Sequence, residues 1–161
     1  MTKIAPCVWY DGTAEDAATF YAATFPDSRV DAIHHAPGNY PNGQLGDVLT
    51  VEFTVCGMAF LGLNGGSQFP QTQAVSFLVY TGDQVETDRY WNAIVGNGGA
   101  ESACGWCKDR WGVNWQITPR VLIDAIGSTD TAIAARAFEA MMTMHKIDIA
   151  AIEAAVAGGT A

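Results

Sequence analysis

Lys-Asp-Arg-Trp-Gly-Val-Asn-Trp-Gln-Ile, residues 108–117, is the stretch whose reading decides the fold. Gly112 marks a tight turn, and Val113 to Thr118 then reads as a short strand. Gln116 is the last polar residue of that strand that can face inward. Upstream, Ala74 to Tyr80 reads as a strand, and Gly82-Asp83 opens a helix carrying Val85, Trp91, Ile94 and Val95. Asn97-Gly98-Gly99 stops that helix. Residues Ala100 to Lys108 supply further strand, and Pro119 closes the sheet region.

The same plan precedes it. Ile4 to Tyr10 is an apolar and aromatic strand broken by Asp11-Gly12. Thr13 is placed to cap a helix, with Asp16 three residues on, and Ala17, Phe20, Tyr21, Thr24 and Phe25 form its apolar face. Pro26 ends the helix because the residue before proline avoids helical geometry. Ser28 to His35 reads as a strand, and Pro37 to Gly46 as a loop. Val48 to Val55 alternates, turning Val51, Phe53 and Val55 one way and Thr50, Glu52 and Thr54 the other. Cys56-Gly57 is a two-residue turn into a hairpin partner from Met58 to Leu63. Strand, helix and several strands thus occur twice, a repeat of pattern rather than of identical residues.

The tail from Thr129 to Ala157 is rich in Ala, Met and Ile and is helical by pattern. Phe138, Met141, Met142, Met144 and Ile147 give it an apolar stripe, and Asp148 caps a last helix with Ile149, Ile152 and Val156. The stripe must cover either its own sheet or a second subunit, and the pattern leaves both open.

The 161 residues suit one domain, 49% hydrophobic and 16% charged, with five Trp, five Tyr and seven Phe. The formal charge of −9 repels phosphate backbones, so no nucleic-acid partner is expected; it favours a cationic or neutral ligand. No run of about 18 apolar residues offers a membrane span. The first residues do not read as a signal peptide, and with four cysteines they point to reduced thiols in a cytoplasm.

Residues 9–28, 47–53, 63–66 and 108–116 together resemble the PhnB-like branch of the vicinal oxygen chelate (glyoxalase/bleomycin-resistance/dioxygenase) superfamily. Within it the chain is similar to the group named 3-demethylubiquinone-9 3-methyltransferase. The resemblance runs from about Ile4 into the C-terminal helices. It implies an α+β fold of two βαβββ modules, residues 1–66 and 73–119 within 1–120, forming a curved mixed sheet around a cup. Residues 121–161 would be a helical extension of the same domain. It also implies a homodimer and, in the superfamily's enzymes, a divalent metal on four ligands from the first and last strands of each module.

Carried over position by position, those ligands are missing. The first opening strand offers Pro6 or Ile4, its closing strand Gly62 or Asn64, and the second opening strand Ala74 or Ser76. Gln116 alone remains, a neutral amide where the superfamily has a glutamate. No metal and no other cofactor is therefore expected. The glycine pairs 65–66 and 98–99 lack the spacing of a nucleotide or S-adenosylmethionine loop, so the methyltransferase name has no motif behind it.

Cys104-Gly-Trp-Cys107 has redox or zinc spacing but neither a helix start nor a second cysteine pair, and reads as two structural thiols. His34 and His35 alternate faces of one strand and read as exposed or edge histidines, as does His145. Trp9, Trp106, Trp111 and Trp115 read first as core and dimer packing, and second as the walls of an aromatic pocket. The residues expected to line a small-molecule cup are Trp9, Asn64, Cys104, Trp106 and Gln116. A metal-dependent lyase, transferase or dioxygenase with replaced ligands, and a drug-sequestering protein, stay open as alternatives. The ligand, any reaction, and pairing of the modules within or between chains are not fixed by the sequence.

Overall fold

The computed structural model describes residues 3–158. The chain divides into two compact units, Met1–Gln71 and Thr72–Ala161.

In the first unit, β1 (Cys7–Tyr10) leads to α1 (Ala14–Thr24), then β2 (Arg29–His35), β3 (Val48–Val55) and β4 (Met58–Asn64). The sheet order is β1-β4-β3-β2, with β1 parallel to β4 and the other pairs antiparallel. Pro6, which has no N–H to give, stands just outside β1 while its carbonyl accepts from Leu61 N at 2.9 Å. The β3–β4 hairpin turns through Cys56 and Gly57, at φ +48° and +78°, the paired left-handed conformation of a tight hairpin.

Helix α1 buries Ala14, Ala17, Ala18 and Tyr21, one stripe at helical spacing, against β3 and β4. Three alanines let it lie close to the sheet. A Cβ on Gly62 would meet Ala14 Cβ at 3.0 Å. Tyr21 and Phe60 pack on Phe53, the latter pair stacked with centroids 5.3 Å apart. The helix ends at Phe25, as the following proline requires. Its start differs from expectation: Thr13 makes no side-chain capping bond. Asn64, at the end of β4, supplies the acceptor instead, its Oδ1 taking the Ala14 N–H at 3.0 Å.

The second unit repeats the topology. Its elements are β5 (Ser76–Thr81), α2 (Gln84–Gly96), β6 (Ala100–Glu101), β7 (Trp106–Lys108) and β8 (Asn114–Pro119), in the order β5-β8-β7-β6. Here α2 is capped locally, Asp83 accepting from Glu86 N at 2.8 Å, and it stops at Asn97 with Gly98 at φ +84°. The stretch from Ala100 to Lys108 forms two short strands. Cys104 and Gly105, at φ +59° and +81°, turn the chain between them.

Pro119 closes the sheet and opens α3 (Arg120–Ile126), a helix the sequence pattern did not separate from the rest of the tail. Helices α4 (Thr131–Met141) and α5 (Ile149–Val156) follow. Leu122, Ile147 and Ile152 are fully buried together, with Met141, Met144 and Val156 around them. Part of the expected stripe thus packs within its own unit. Phe138 and Met142 remain half-exposed. Gln84 fastens the tail to α2, its Nε2 donating to Ile147 O at 3.1 Å and its Oε1 accepting from Ile149 N at 2.8 Å.

Candidate functional site

Each four-stranded sheet has one face under its helix and one face free of it. On the second sheet the helix face is set by Phe77 against Trp115, ring centroids 5.5 Å apart, and by Thr81 Oγ1 against Thr87 Oγ1 of α2 at 2.6 Å. Alternation then turns Ser76, Leu78 and Tyr80 of β5 to the open side. Cα partners in a ladder share a face, so Gln116, opposite Leu78 and Trp106, lies there too. Gln116 Nε2 donates to Ser76 Oγ at 2.8 Å. That leaves the amide oxygen, a second N–H and the serine hydroxyl hydrogen for a ligand. Leu78 and Tyr80 beside them are 38% and 47% exposed.

The motif at 108–117 builds this surface from below. Asp109 is 2% exposed. Its Oδ1 accepts from Trp111 N and Val113 N, both at 3.0 Å, and its Oδ2 accepts from Trp115 Nε1 at 2.9 Å. One carboxylate therefore shapes the Gly112 turn and fixes the indole under β8, which sets the register bringing Trp106 opposite Gln116.

On the first sheet, Val8 and Tyr10 face α1, which leaves Cys7 and Trp9 of β1 and their partners Leu61 and Leu63 of β4 on the open side. Trp9 Nε1 donates to Gly66 O at 2.7 Å, and its ring meets Phe69 edge-on at 4.9 Å. Farther along, His34 Nε2 sits 3.1 Å from Glu52 Oε1, and Thr54 Oγ1 donates to Asp31 Oδ2 at 2.7 Å.

The expected residues fall into three groups. Trp106 and Gln116 are direct neighbours on one open face, and Trp9 holds the corresponding side of the other sheet. Asn64 lies on the helix side, 5% exposed, its amide shared between Ala14 N and Val48 O at 3.0 and 2.9 Å. It also borders a cleft of about 310 Å³ between the Asp11-Gly12 turn and the loop carrying Tyr40, Asn42 and Asp47. Cys104 sits in the turn before β7, its thiol 3.6 Å from Met142 Sδ. Cys107 is buried on the helix side, where loss of solvent, then the Asp109 and Glu101 carboxylates, push its thiol up to about 12. The two cysteines are free and face different surroundings, which suits neither a redox pair nor a shared metal.

The positions on the open side of the first and last strands of the units are Cys7 and Trp9, Leu61 and Leu63, Ser76, Leu78 and Tyr80, and Gln116 with the buried Asn114 and Thr118. Gly62 and Asn64 turn to α1 and drop out. Among the described residues no group of three or more His, Cys, Asp or Glu converges as a metal centre requires. A thiol, hydroxyls and amides among aromatic rings and leucines do not make the charged donor set of a divalent ion.

A family model described as 3-demethylubiquinone-9 3-methyltransferase matches residues 2–118. The chain belongs to this family. Among solved structures, the PhnB-like chain is 28% identical to the PhnB protein of Bacillus cereus, which carries the same methyltransferase name. The TM-score is 0.65, over 73% of this chain and 99% of that one. Protein PA1353 from Pseudomonas aeruginosa shares the fold at 18% identity and TM-score 0.60, over 74% of this chain and 98% of that one. So does the fosfomycin resistance protein FosX from Listeria monocytogenes, at 10% identity and TM-score 0.50, over 74% and 93% of the two chains. No curated protein matches the chain. The fold is thus the one shared by the PhnB protein and FosX, and none of these comparisons shows a methyltransferase activity. No helix among the described residues is long and apolar enough to cross a membrane.

Sequence reading passed over Tyr80 and Arg120, the second because it follows the sheet instead of lying in it. The Arg120 guanidinium stands 5.1 Å from the centroid of the Tyr80 ring. Tyr80 was within reach of alternation alone, being two and four residues from Leu78 and Ser76.

Proposed function

We propose that this PhnB-like protein binds a small organic molecule on the open face of its sheet, and that its own side chains do the holding. The carrying observation is the set of Trp106, Gln116 and Ser76 side by side, with half-exposed Leu78 and Tyr80. Apolar and aromatic walls around a few convergent polar atoms are what small-molecule sites consist of. Trp9, with Leu61 and Leu63, forms an apolar and aromatic surface of the same kind on the first sheet taken by itself. Asn64 and Cys104 serve this reading as supports, since the amide of one caps a helix and the other turns the chain into β7. The reading assigns binding and assigns no reaction. A cytoplasmic homodimer is the form in which we expect it to work.

Native mass spectrometry of freshly purified protein, with elemental analysis of the same sample, tests this. A small organic adduct that Trp106→Ala releases is the expected result. One transition metal per subunit, lost on Gln116→Ala, would replace binding with the metal-dependent enzyme of the same superfamily.

A further inference from the structure

The charge of −9 is not spread over the open face of the second sheet. The β5 and β8 side chains on this face are Ser76, Leu78, Tyr80 and Gln116, with Asn114 and Thr118 buried at its ends, all neutral. Two cations border this face, Lys108, two residues on from Trp106 and opposite Asn114, and Arg120 over Tyr80, while Asp124, one turn after Arg120 on α3, makes no ion pair with it. Glu101, the one carboxylate on these four strands, turns toward α2 and accepts from Trp91 Nε1 at 3.2 Å. Asp109, just beyond β7, is spent on Trp115. Neither Lys108 nor Arg120 takes part in an ion pair among the described residues.

Charges separated by more than roughly 8–10 Å are largely screened at physiological salt. A molecule on this face therefore meets Lys108 and Arg120 at close range, while most of the total charge is screened from it. Asn114 and Thr118, which mark the Lys108 and Tyr80 ends, are four residues apart on β8, roughly 13 Å at strand rise. An aromatic molecule of two or three rings spans much of that distance.

We propose that the open face of the second sheet takes an anionic aromatic molecule. Its flat body lies against Trp106 and Leu78, its polar atoms meet Gln116 and Ser76, and its acid group meets Arg120 beside Tyr80. This rests on the binding reading above and reverses the preference for a cation that the total charge suggests. An arginine already held over an aromatic ring keeps its N–H fork in place for a carboxylate or sulfonate, with less ordering to do on binding.

The test uses two dyes on the full-length protein: anilinonaphthalene sulfonate, an aromatic anion, and proflavine, an aromatic cation of similar size. The anion should bind saturably with one site per chain, and more weakly as salt is raised. Arg120→Gln should weaken it about tenfold, the usual scale for loss of a charge-assisted contact, while Arg120→Lys keeps much of the affinity. Trp106→Ala should weaken it as well. Circular dichroism checks that each variant is folded. Proflavine binding in preference to the sulfonate overturns the charge assignment and leaves the open-face site standing. Sulfonate binding unchanged in both Arg120→Gln and Lys108→Gln overturns it too. Failure of both dyes to bind, or binding indifferent to Trp106→Ala, overturns the site itself.

Discussion

The indole N–H of Trp115 donates to the carboxylate of Asp109, six residues earlier, across 2.9 Å in the buried base of the second sheet. The same carboxylate holds Trp111 N and Val113 N. Asp109→Ala strands three donors, of which the indole and the Val113 amide lie in the interior, where each unsatisfied group costs about 1–3 kcal/mol. Urea denaturation should show a loss of about 2–6 kcal/mol. Asp109→Asn, which keeps one acceptor oxygen, should lose less. A variant within 0.5 kcal/mol of wild type (about the scatter of surface substitutions) would remove Asp109 from its role.

Asn64 joins the end of β4 to the start of α1 and to Val48 O. Replacing a capping asparagine by alanine costs about 1–2 kcal/mol. Asn64→Ala should fall at the upper end, because the Val48 carbonyl loses its donor as well. Asn64→Asp keeps the cap but sets a carboxylate against that carbonyl, and should recover only part. Thr13→Ala, at the position without a capping bond, should change stability by less than about 0.5 kcal/mol in the same assay.

Two adjacent glycines separate backbone strain from collision. Gly98 has φ +84°, and a Cβ there would meet only Arg110 Cβ at 3.6 Å. Gly98→Ala therefore pays the left-handed penalty alone, about 1–2 kcal/mol. A Cβ on Gly99 would stand 2.5 Å from both Ile94 O and Lys108 O, and backbone cannot swing aside as a flexible side chain can. Gly99→Ala should cost roughly 3 kcal/mol, the upper range for overpacking. Thermal melts of the pair check the order, and equal losses would contradict it.

The buried Cys107 thiol, pushed up to about 12 from an ordinary 9.0, resists ionisation in the folded chain. Once unfolded it loses its proton near its ordinary value, so between about pH 9 and 12 the unfolded state binds fewer protons than the folded one. Its contribution to stability is fully present below pH 9 and drains away as pH rises through that window, by up to about 1.4 kcal/mol per pH unit. The wild type should lose stability over this range faster than Cys107→Ala. With iodoacetamide at pH 8, the exposed Cys56 should be alkylated in the native protein and Cys107 only after unfolding. Prompt native labelling of Cys107 would contradict its placement.

The architecture was legible because its signals are local. Hairpin residues at 56 and 57, Pro26 after a helix, Asp83 and Asp148 before two others, and Asn97-Gly98 at a helix end each act within a few residues, and each stands where the chain pattern put it. The cap of α1 was misread because its acceptor lies 50 residues away and is an asparagine that sequence assigns to a pocket. Within the candidate site, Trp106 and Gln116 could be named from alternation, yet their adjacency depends on an antiparallel register that no local pattern specifies. Arg120 escaped notice for the same reason. Its place over Tyr80 comes from the turn of the chain at Pro119.

The two modules have the same strand order, but they differ in what seals their helices. Asp83 lies immediately ahead of α2, whereas α1 waits for Asn64. On a ribosome, the second helix can close its first turn as it emerges. The first lacks the acceptor for its Ala14 N–H until residue 64 has been synthesised and β4 has docked, so a nascent chain released short of that point would leave its alanine-lined surface open to chaperones and proteases.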